Sequence, residues 1–411
     1  MLLTSLVLGS ATLIANPTGA TTAGPVQPDL FALRVGTAET ISQGTIPNAV
    51  ILVEGGRIVM VGEDLPVERG IPTLDFPDAV VMPGIVGSRS RIGLEGRAGT
   101  DITPELSAAF ELDPGSGDFA KVLEHGVTTL GLYPSGGGVP GVAIAVRTKG
   151  GTLDRMLLSE PSYLQMYMSS NESAKRLIDK SFELVDEYME DVEKEREKFE
   201  KEKEKEKSKS KRDEMVFQPP VPDEKTLPMV RLVTGDLRAV MGIRKASDYL
   251  HLMDVLDQRD YEFEFDVQAS LFDDGDLFYV ADRLGASGRR VIVNPSITQH
   301  PGTRRERNLP KELNDAGCPL AFVPSSDSAS GYEDLLLEVA NLMRYGLDRQ
   351  VALRALTLEG AHVLGLEDEL GSIDAGKYAN LLLFDGDPFA VETELLGVML
   401  EGEFVAGDLA E

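Results

Sequence analysis

From Phe31 to Met82 the chain runs as short β-branched and apolar stretches broken by turn residues: FALRVGTAETI, AVILVEGGRIVMVG and TLDFPDAVVMPG. Runs of this kind predict strands. Glu54-Gly55-Gly56-Arg57 lies between two such runs and predicts a tight hairpin. The same texture returns near the C-terminus, in strand runs at Ala379 to Phe384 and Val398 to Val405. The two ends of the sequence are therefore expected to build one composite β module, from residues 25–82 and 371–411.

Between them, strand-like runs alternate with helix-like ones. VTTLGLY, VAIAVRT, RAVMGI, FEFDVQA, RRVIVNP and CPLAFVPSS are interleaved with segments such as SDYLHLMDVLDQ, DLFYVADRLGA and YEDLLLEVANLMRYG. Alternation of this kind implies an α/β domain with a parallel sheet or barrel, whose chemistry sits at the C-terminal ends of the strands. That domain is expected over residues 83–370. The alternation breaks at about residues 169–228, where EDVEKEREKFEKEKEKEKSKSKRDE leads into QPPVPDEKTLP. Such a charge run predicts an inserted, solvent-facing helix with almost no apolar side beyond Phe199.

Residues 2–15, LLTSLVLGSATLIA, form an apolar run of signal-peptide length followed by small residues such as Ala20 and Ala23. No Lys or Arg precedes Arg34, so the run has no basic n-region. The expectation is export to the periplasm or the exterior, with residues 1–24 as a signal peptide; a hydrophobic tail on a cytoplasmic protein is the alternative. No other stretch approaches the roughly 18 apolar residues of a spanning helix, so no membrane span is expected in the mature protein.

Composition narrows the possible partners. The 411 residues are 42% hydrophobic and 26% charged, which excludes a disordered chain and allows two to three domains. A net charge of −28 argues against nucleic acid and anionic membranes as partners, because both need a positive footprint. With Cys318 alone there is neither an intrachain disulfide nor a cysteine metal cluster; a buried inert thiol is expected. The glycines Gly136 to Gly138, with no Lys-Ser/Thr after them, are not a phosphate loop.

Several ordered motifs together resemble one family. VVMPGIVGSRSRIG, after a small β module, is similar to the first barrel strand of the amidohydrolase superfamily, whose usual form carries His-x-His. LEHGVTTLGLYPS resembles its second strand, and ALRALTLEGAHVLGLEDELGSIDAGKYANLLLFDGDPF its closing signature. The charged insert resembles those of imidazolonepropionase-like and dihydroorotase-like members. From about Phe31 to Val405 the resemblance implies a (β/α)8 TIM-like barrel with a composite β-sandwich module and a hydrolase of non-peptide carbon–nitrogen bonds.

Hydrolases of that family hold one or two divalent metals, commonly zinc, on histidines and carboxylates at the barrel mouth, where the ion acidifies a bound water. By the family register, the His-x-His positions fall on Arg89 and Arg91, the fifth-strand histidine near Ile243 or Arg244, and the sixth-strand histidine near Gln268. Asp327 holds the place of the eighth-strand aspartate. A guanidinium stays protonated and offers no lone pair, so no metal is expected.

The two arginines share a strand face. They are read as an anion-binding pair, or as counter-charges for Asp327 and for Glu264 and Asp266, which lie on the face of Gln268. Of the four histidines, His125, His251 and His362 fall in or beside helical patterns, and only His300 falls at the catalytic end, with no second ligand spaced with it.

Two functional expectations follow. In the first, the protein is a metal-free pseudoenzyme that binds a small molecule through Arg89, Arg91 and Gln268, or forms a homo- or hetero-oligomer with an intact paralogue. In the second, it is an active cyclic-amide hydrolase with Asp327 as base and the arginines as oxyanion stabilisers.

Overall fold

The computed structural model describes residues 28–96, 100–256, 261–267, 276–300 and 302–410. The expected leader and Gln268 lie outside the described residues.

Four strands open the fold: β1 (Leu30–Glu39), β2 (Thr45–Glu54), β3 (Arg57–Glu63) and β4 (Thr73–Pro83). Then come β5 (Ile85–Ser90), β6 (Val127–Leu132), β7 (Gly141–Val142), β8 (Ile144–Arg147), β9 (Leu164–Tyr167), β10 (Ala239–Ile243), β11 (Phe263–Val267), β12 (Val291–Val293) and β13 (Leu320–Phe322). The chain closes with β14 (Leu381–Phe384), β15 (Leu395–Leu400) and β16 (Glu403–Ala406).

The first four and last three strands form one seven-stranded sheet in the order β16-β15-β14-β4-β1-β2-β3, so the two ends of the chain do share a module. Its hairpin forms where the sequence puts it. Gly55 and Gly56 take φ of 58° and 76°, the pair of positive angles a two-residue turn demands. This turn abuts Glu401, whose carbonyl oxygen would lie 2.6 Å from a Cβ at Gly56, so the far wings of the sheet curl toward each other. Phe31, Leu33, Ile51, Leu381 and Met399 consequently share one core, and a single curled sheet stands where a two-layer sandwich was expected. Period-two alternation along β14 sends Leu381 and Leu383 into that core and Leu382 and Phe384 into the core of the central domain.

The central strands build a mixed α/β domain. One sheet runs β5-β6-β8 with the short strand Leu157–Ser159 beyond it; the other runs β7-β9-β10-β11-β12-β13. They meet at Ala143, whose N–H donates to Tyr163 O (2.8 Å) and whose carbonyl accepts from the Ser162 N–H (2.8 Å). Neighbouring pairs from β9 to β13 are parallel, as expected. The segment 141–147 instead lies antiparallel to β6 on one side and β9 on the other. Residues 133–140 are too few for the crossover helix that a parallel return requires. Among the described residues no backbone ladder joins β13 to β5, so the strands make an arc rather than a closed barrel.

The insert corrects a second expectation. It is a helix from Glu172 to Lys205, about 50 Å long at 1.5 Å per residue, with the Asn171 side chain accepting from the Ala174 N–H (2.8 Å). Its first half is not solvent-facing throughout: Ile178, Phe182 and Val185 are buried, and Phe182 packs on Tyr261 with ring centroids 5.2 Å apart. Those residues recur at four and three, the spacing of a buried helix stripe. The second half carries short-range ion pairs such as Lys198–Glu195 (2.6 Å), and the chain returns along it, with Phe217 5.6 Å from Phe199 and the Tyr188 hydroxyl donating to Pro220 O. No helix among the described residues is long and apolar enough to cross a membrane.

Candidate functional site

At the C-terminal ends of the strands lies a cavity of about 600 Å³, and Arg89 and Arg91 both reach it. Arg89 is the penultimate residue of β5, so its side chain follows the strand pleat into the arc. There its Nε stands 2.8 Å from Oδ2 of Asp266, a carboxylate only 2% exposed near the end of β11. Its Nη2 donates to the Tyr133 hydroxyl (3.3 Å), and its guanidinium carbon sits 4.9 Å from the centre of that ring. Burial works against the charge on Arg89, but Asp266, Tyr133, Tyr167 and Asp327 together outweigh it, so its pKa is raised and the group stays protonated.

Arg91 points elsewhere. Its Nη1 donates to Tyr133 O (2.9 Å) and its Nη2 to Glu111 Oε2 (3.0 Å). Glu111 also accepts from the Ser135 N–H and hydroxyl, which ties the glycine segment that follows Ser135 to the arginine.

Asp327 follows β13 and is exposed. Among the described residues it takes no guanidinium: its Oδ1 accepts from the Ser90 hydroxyl (2.7 Å) and its Oδ2 from the Arg91 backbone N–H (2.7 Å). Those two bonds pin the end of β5 to the loop after β13 across the gap in the arc. The expected counter-charge scheme is thus corrected for two of its three carboxylates. Asp266 is the one that pairs, with Arg89, whereas Glu264 faces the opposite end of the strands and pairs with Arg290 (2.7 Å). Glu264 and Asp266 stand two positions apart, enough on one strand face to put them at different ends of a short β-strand.

Around these groups stand two phenols. Burial pushes the Tyr167 hydroxyl well above its ordinary pKa, with Tyr133 and Asp266 adding to the effect. Tyr133 is also raised by burial, against the pull of Arg89. Both stay neutral donors. A Cβ at Gly242 would lie 2.4 Å from the Tyr167 ring, so the glycine there makes room for the phenol. Arg244, one of the two positions read for the fifth-strand ligand, also lines the cavity, while Ile243 is buried in the core.

The histidines do not converge. His300 packs against Phe278 with centroids 5.0 Å apart, His125 follows the helix Asp118–Glu124, His251 is exposed on the helix Ala246–Leu256, and His362 lies at the far end near Glu367. Cys318 is buried, which pushes its thiol up to about 11.

Glu111 and Tyr133 were not singled out in the sequence. Tyr133 directly follows β6, where the rule of chemistry at strand ends could have found it. Glu111 belongs to a short 3₁₀ turn, Ala108–Glu111, and carries no local signal.

A divalent ion at this mouth is what the family would imply. The donor chemistry present does not fit one: two guanidinium groups offer no lone pair, and the Asp266 carboxylate faces Arg89. Among the described residues no group of three or more His, Cys, Asp or Glu is placed to hold a metal.

Comparison with known proteins agrees with the arrangement of strands. The family model described as Amidohydrolase family matches residues 299–405. An imidazolonepropionase from Syntrophobacter fumaroxidans (strain DSM 10017 / MPOB) is 33% identical over 118 residues, 28% of this chain and 28% of that protein. One from Rubrobacter xylanophilus is 34% identical over 108 residues, 25% of each. The alignments therefore span little more than a quarter of these relatives' length. Over nearly the whole fold, the crystal structure of an amidohydrolase from Thermotoga maritima MSB8 superposes with a TM-score of 0.70 at 21% identity, covering 91% of this chain and 99% of that one. Residues 299–405 thus match the amidohydrolase family, and the fold over most of the chain is that of the Thermotoga maritima amidohydrolase. Its structural neighbours have the fold of a TIM barrel.

Proposed function

We propose that the protein is a metal-free member of the amidohydrolase superfamily, a pseudoenzyme with respect to carbon–nitrogen bond hydrolysis, which keeps the mouth cavity as a binding site for a small molecule. In this reading its strand arc is a (β/α)8 barrel opened between β13 and β5, and Arg89 and Arg91 replace the metal-binding histidines of the first strand. The supporting observation is the contact of Arg89 Nε with Asp266 Oδ2 at 2.8 Å beneath the cavity. A fixed positive charge there satisfies a buried carboxylate and opposes a second cation. The reading of an active cyclic-amide hydrolase needs the arginines turned toward a substrate oxygen, but Arg91 spends its terminal nitrogens on Tyr133 O and Glu111.

The test is metal analysis of the purified protein after incubation with Zn²⁺, alongside a melting curve with the same ion. No stoichiometric zinc and an unchanged melting temperature are expected. One tightly bound equivalent with a stabilising shift would overturn the proposal. The apolar run at residues 2–15 supports export to the periplasm or the exterior. N-terminal sequencing of the protein from a secreting host checks that; recovery of residues 1–24 intact in the cytoplasm would refute it.

A further inference from the structure

We infer that the ligand of the mouth cavity is a small organic anion, with a carboxylate or phosphate head and a flat apolar body. The inference rests on the cavity being a binding site and adds the class of molecule it takes.

Charge is the first ground. The chain carries −28 overall, yet the described residues that line the cavity include Arg89, Arg91 and Arg244 and not one carboxylate. Asp266 and Glu111 hold the first two arginines in place without themselves lining the cavity. What the cavity presents to a ligand is therefore guanidinium groups with their carboxylate partners set behind them, an arrangement that receives an anion and offers nothing to a cation.

Hydrogen bonding is the second. Arg89 holds its Nε against Asp266 as an ion pair and donates Nη2 to the Tyr133 hydroxyl, and its Nη1 makes no hydrogen bond among the described residues. The Tyr167 hydroxyl, kept neutral by burial, also has none. Both belong to residues lining the cavity, so a guanidinium nitrogen and a phenol are available there as donors to an acceptor oxygen. The start of the insert helix, from Asn171, lines the same cavity and adds the positive end of a 34-residue helix.

Size and lining complete the argument. The cavity of about 600 Å³ falls within the range of small-molecule sites, and Met168, Leu177 and the two tyrosine rings supply an apolar wall for the body of the ligand.

The experiment is calorimetric titration of the full chain with benzoate, phenyl phosphate and the neutral benzyl alcohol, at low and high salt, with zinc uptake measured on the same preparation. At least one anion is expected to bind, more weakly as salt rises, and benzyl alcohol is not. Benzoate against phenyl phosphate decides which head the site prefers. Tyr167→Phe removes only a hydroxyl without a partner among the described residues, so it should leave the melting temperature of the free protein unchanged and weaken binding about tenfold. Arg89→Lys keeps the charge beside Asp266 but loses the planar fork, and should weaken binding about tenfold or more. Failure of both anions to bind, equal binding of benzyl alcohol, or unaltered affinity in both variants would overturn the inference. Should zinc uptake be absent in that case, the metal-free reading survives and only the anion is lost; stoichiometric zinc would instead remove the reading on which the inference rests.

Discussion

The strand arc carries buried arginine–carboxylate pairs at both ends, and the two ends differ in what surrounds them. At the closed end Arg290 donates Nη1 to Glu264 (2.7 Å) and Nε to Glu359 (2.7 Å), and Glu359 also takes the Arg354 guanidinium (2.5 Å). The Arg290 backbone N–H donates to Glu264 as well (2.6 Å). Two arginines and two glutamates thus neutralise one another across β11, the residue before β12 and the helices Arg349–Leu356 and Leu358–Leu364. At the mouth, Arg89 and Asp266 stand beside a cavity with donor capacity left over. Pairs shared among several elements hold a fold together; a pair with a spare donor on the wider cavity is where a ligand can act. Residue type alone does not separate these roles. What separates them is the space beside the pair, a cavity of about 310 Å³ at Arg290 and Glu264 against one of about 600 Å³ at Arg89.

Arg290→Met is expected to have the largest effect. It strands Glu264, 13% exposed, and takes one of two partners from Glu359, 6% exposed. Removing one member of a buried ion network costs about 3–5 kcal/mol, most of it the desolvation of the charge left behind. Urea unfolding measures it, and a loss below about 1 kcal/mol would mean that the closed end is solvated and the contrast between the ends is false.

Arg89→Met should cost less, about 2–3 kcal/mol, although Asp266 is the most buried of these carboxylates. The adjoining cavity of about 600 Å³, wider than the one of about 310 Å³ that Glu264 and Arg290 line, lets more water reach Asp266 once the guanidinium has gone. Adding Asp266→Asn removes the stranded charge and should recover a large part of the loss. Unfolding curves of the single and double variants test this: a double variant no more stable than Arg89→Met would show that the arginine acts by filling space, not by charge.

Much of this contrast could be read from the chain, in a specific order. Local pattern gave the composite sheet, because the Gly55-Gly56 hairpin and the alternation along β14 are written within a few residues of sequence. Register against the family placed Arg89, Arg91 and Asp327 at the mouth. It did not say which partner each would take, since Asp327 meets Ser90 and a backbone N–H while Arg91 meets Glu111, a residue from a turn without a motif. Partnerships between distant elements depend on side-chain reach across the arc, which spacing along one strand does not encode. The antiparallel segment 141–147 escaped for a different reason: VAIAVRT reads as a strand in either direction, and only the shortness of the link before it reveals which. The buried stripe Ile178, Phe182 and Val185 was masked by the charge run that follows it in the same helix.

The smallest expected effect is a pH dependence confined to the closed end. His362 lies on the helix Leu358–Leu364, with its Nδ1 3.5 Å from Glu367 and its carbonyl accepting from Arg238. Burial and then Arg290 hold its pKa below the ordinary value, against the opposing pull of Glu359 and Glu367. A depressed histidine binds its proton more readily unfolded than folded, so its contribution to stability is complete above the unfolded value near 6.5 and is lost as pH falls from there through its folded pKa. Glu359 is also depressed: burial opposes its charge, but Arg290 and Arg354 outweigh burial, and its contribution disappears only at lower pH, below the unfolded value near 4.3. Glu264 has the opposite sign, because burial raises its pKa against Arg290, and protonating it as pH falls relieves part of the cost of its charge. The melting temperature should therefore dip as pH is lowered from about 7.5 to 5.5, and His362→Asn should flatten that dip while leaving the steeper acid limb below about 4.3 intact. A dip that survives in His362→Asn would assign it to a group elsewhere and remove the histidine from the closed end's account.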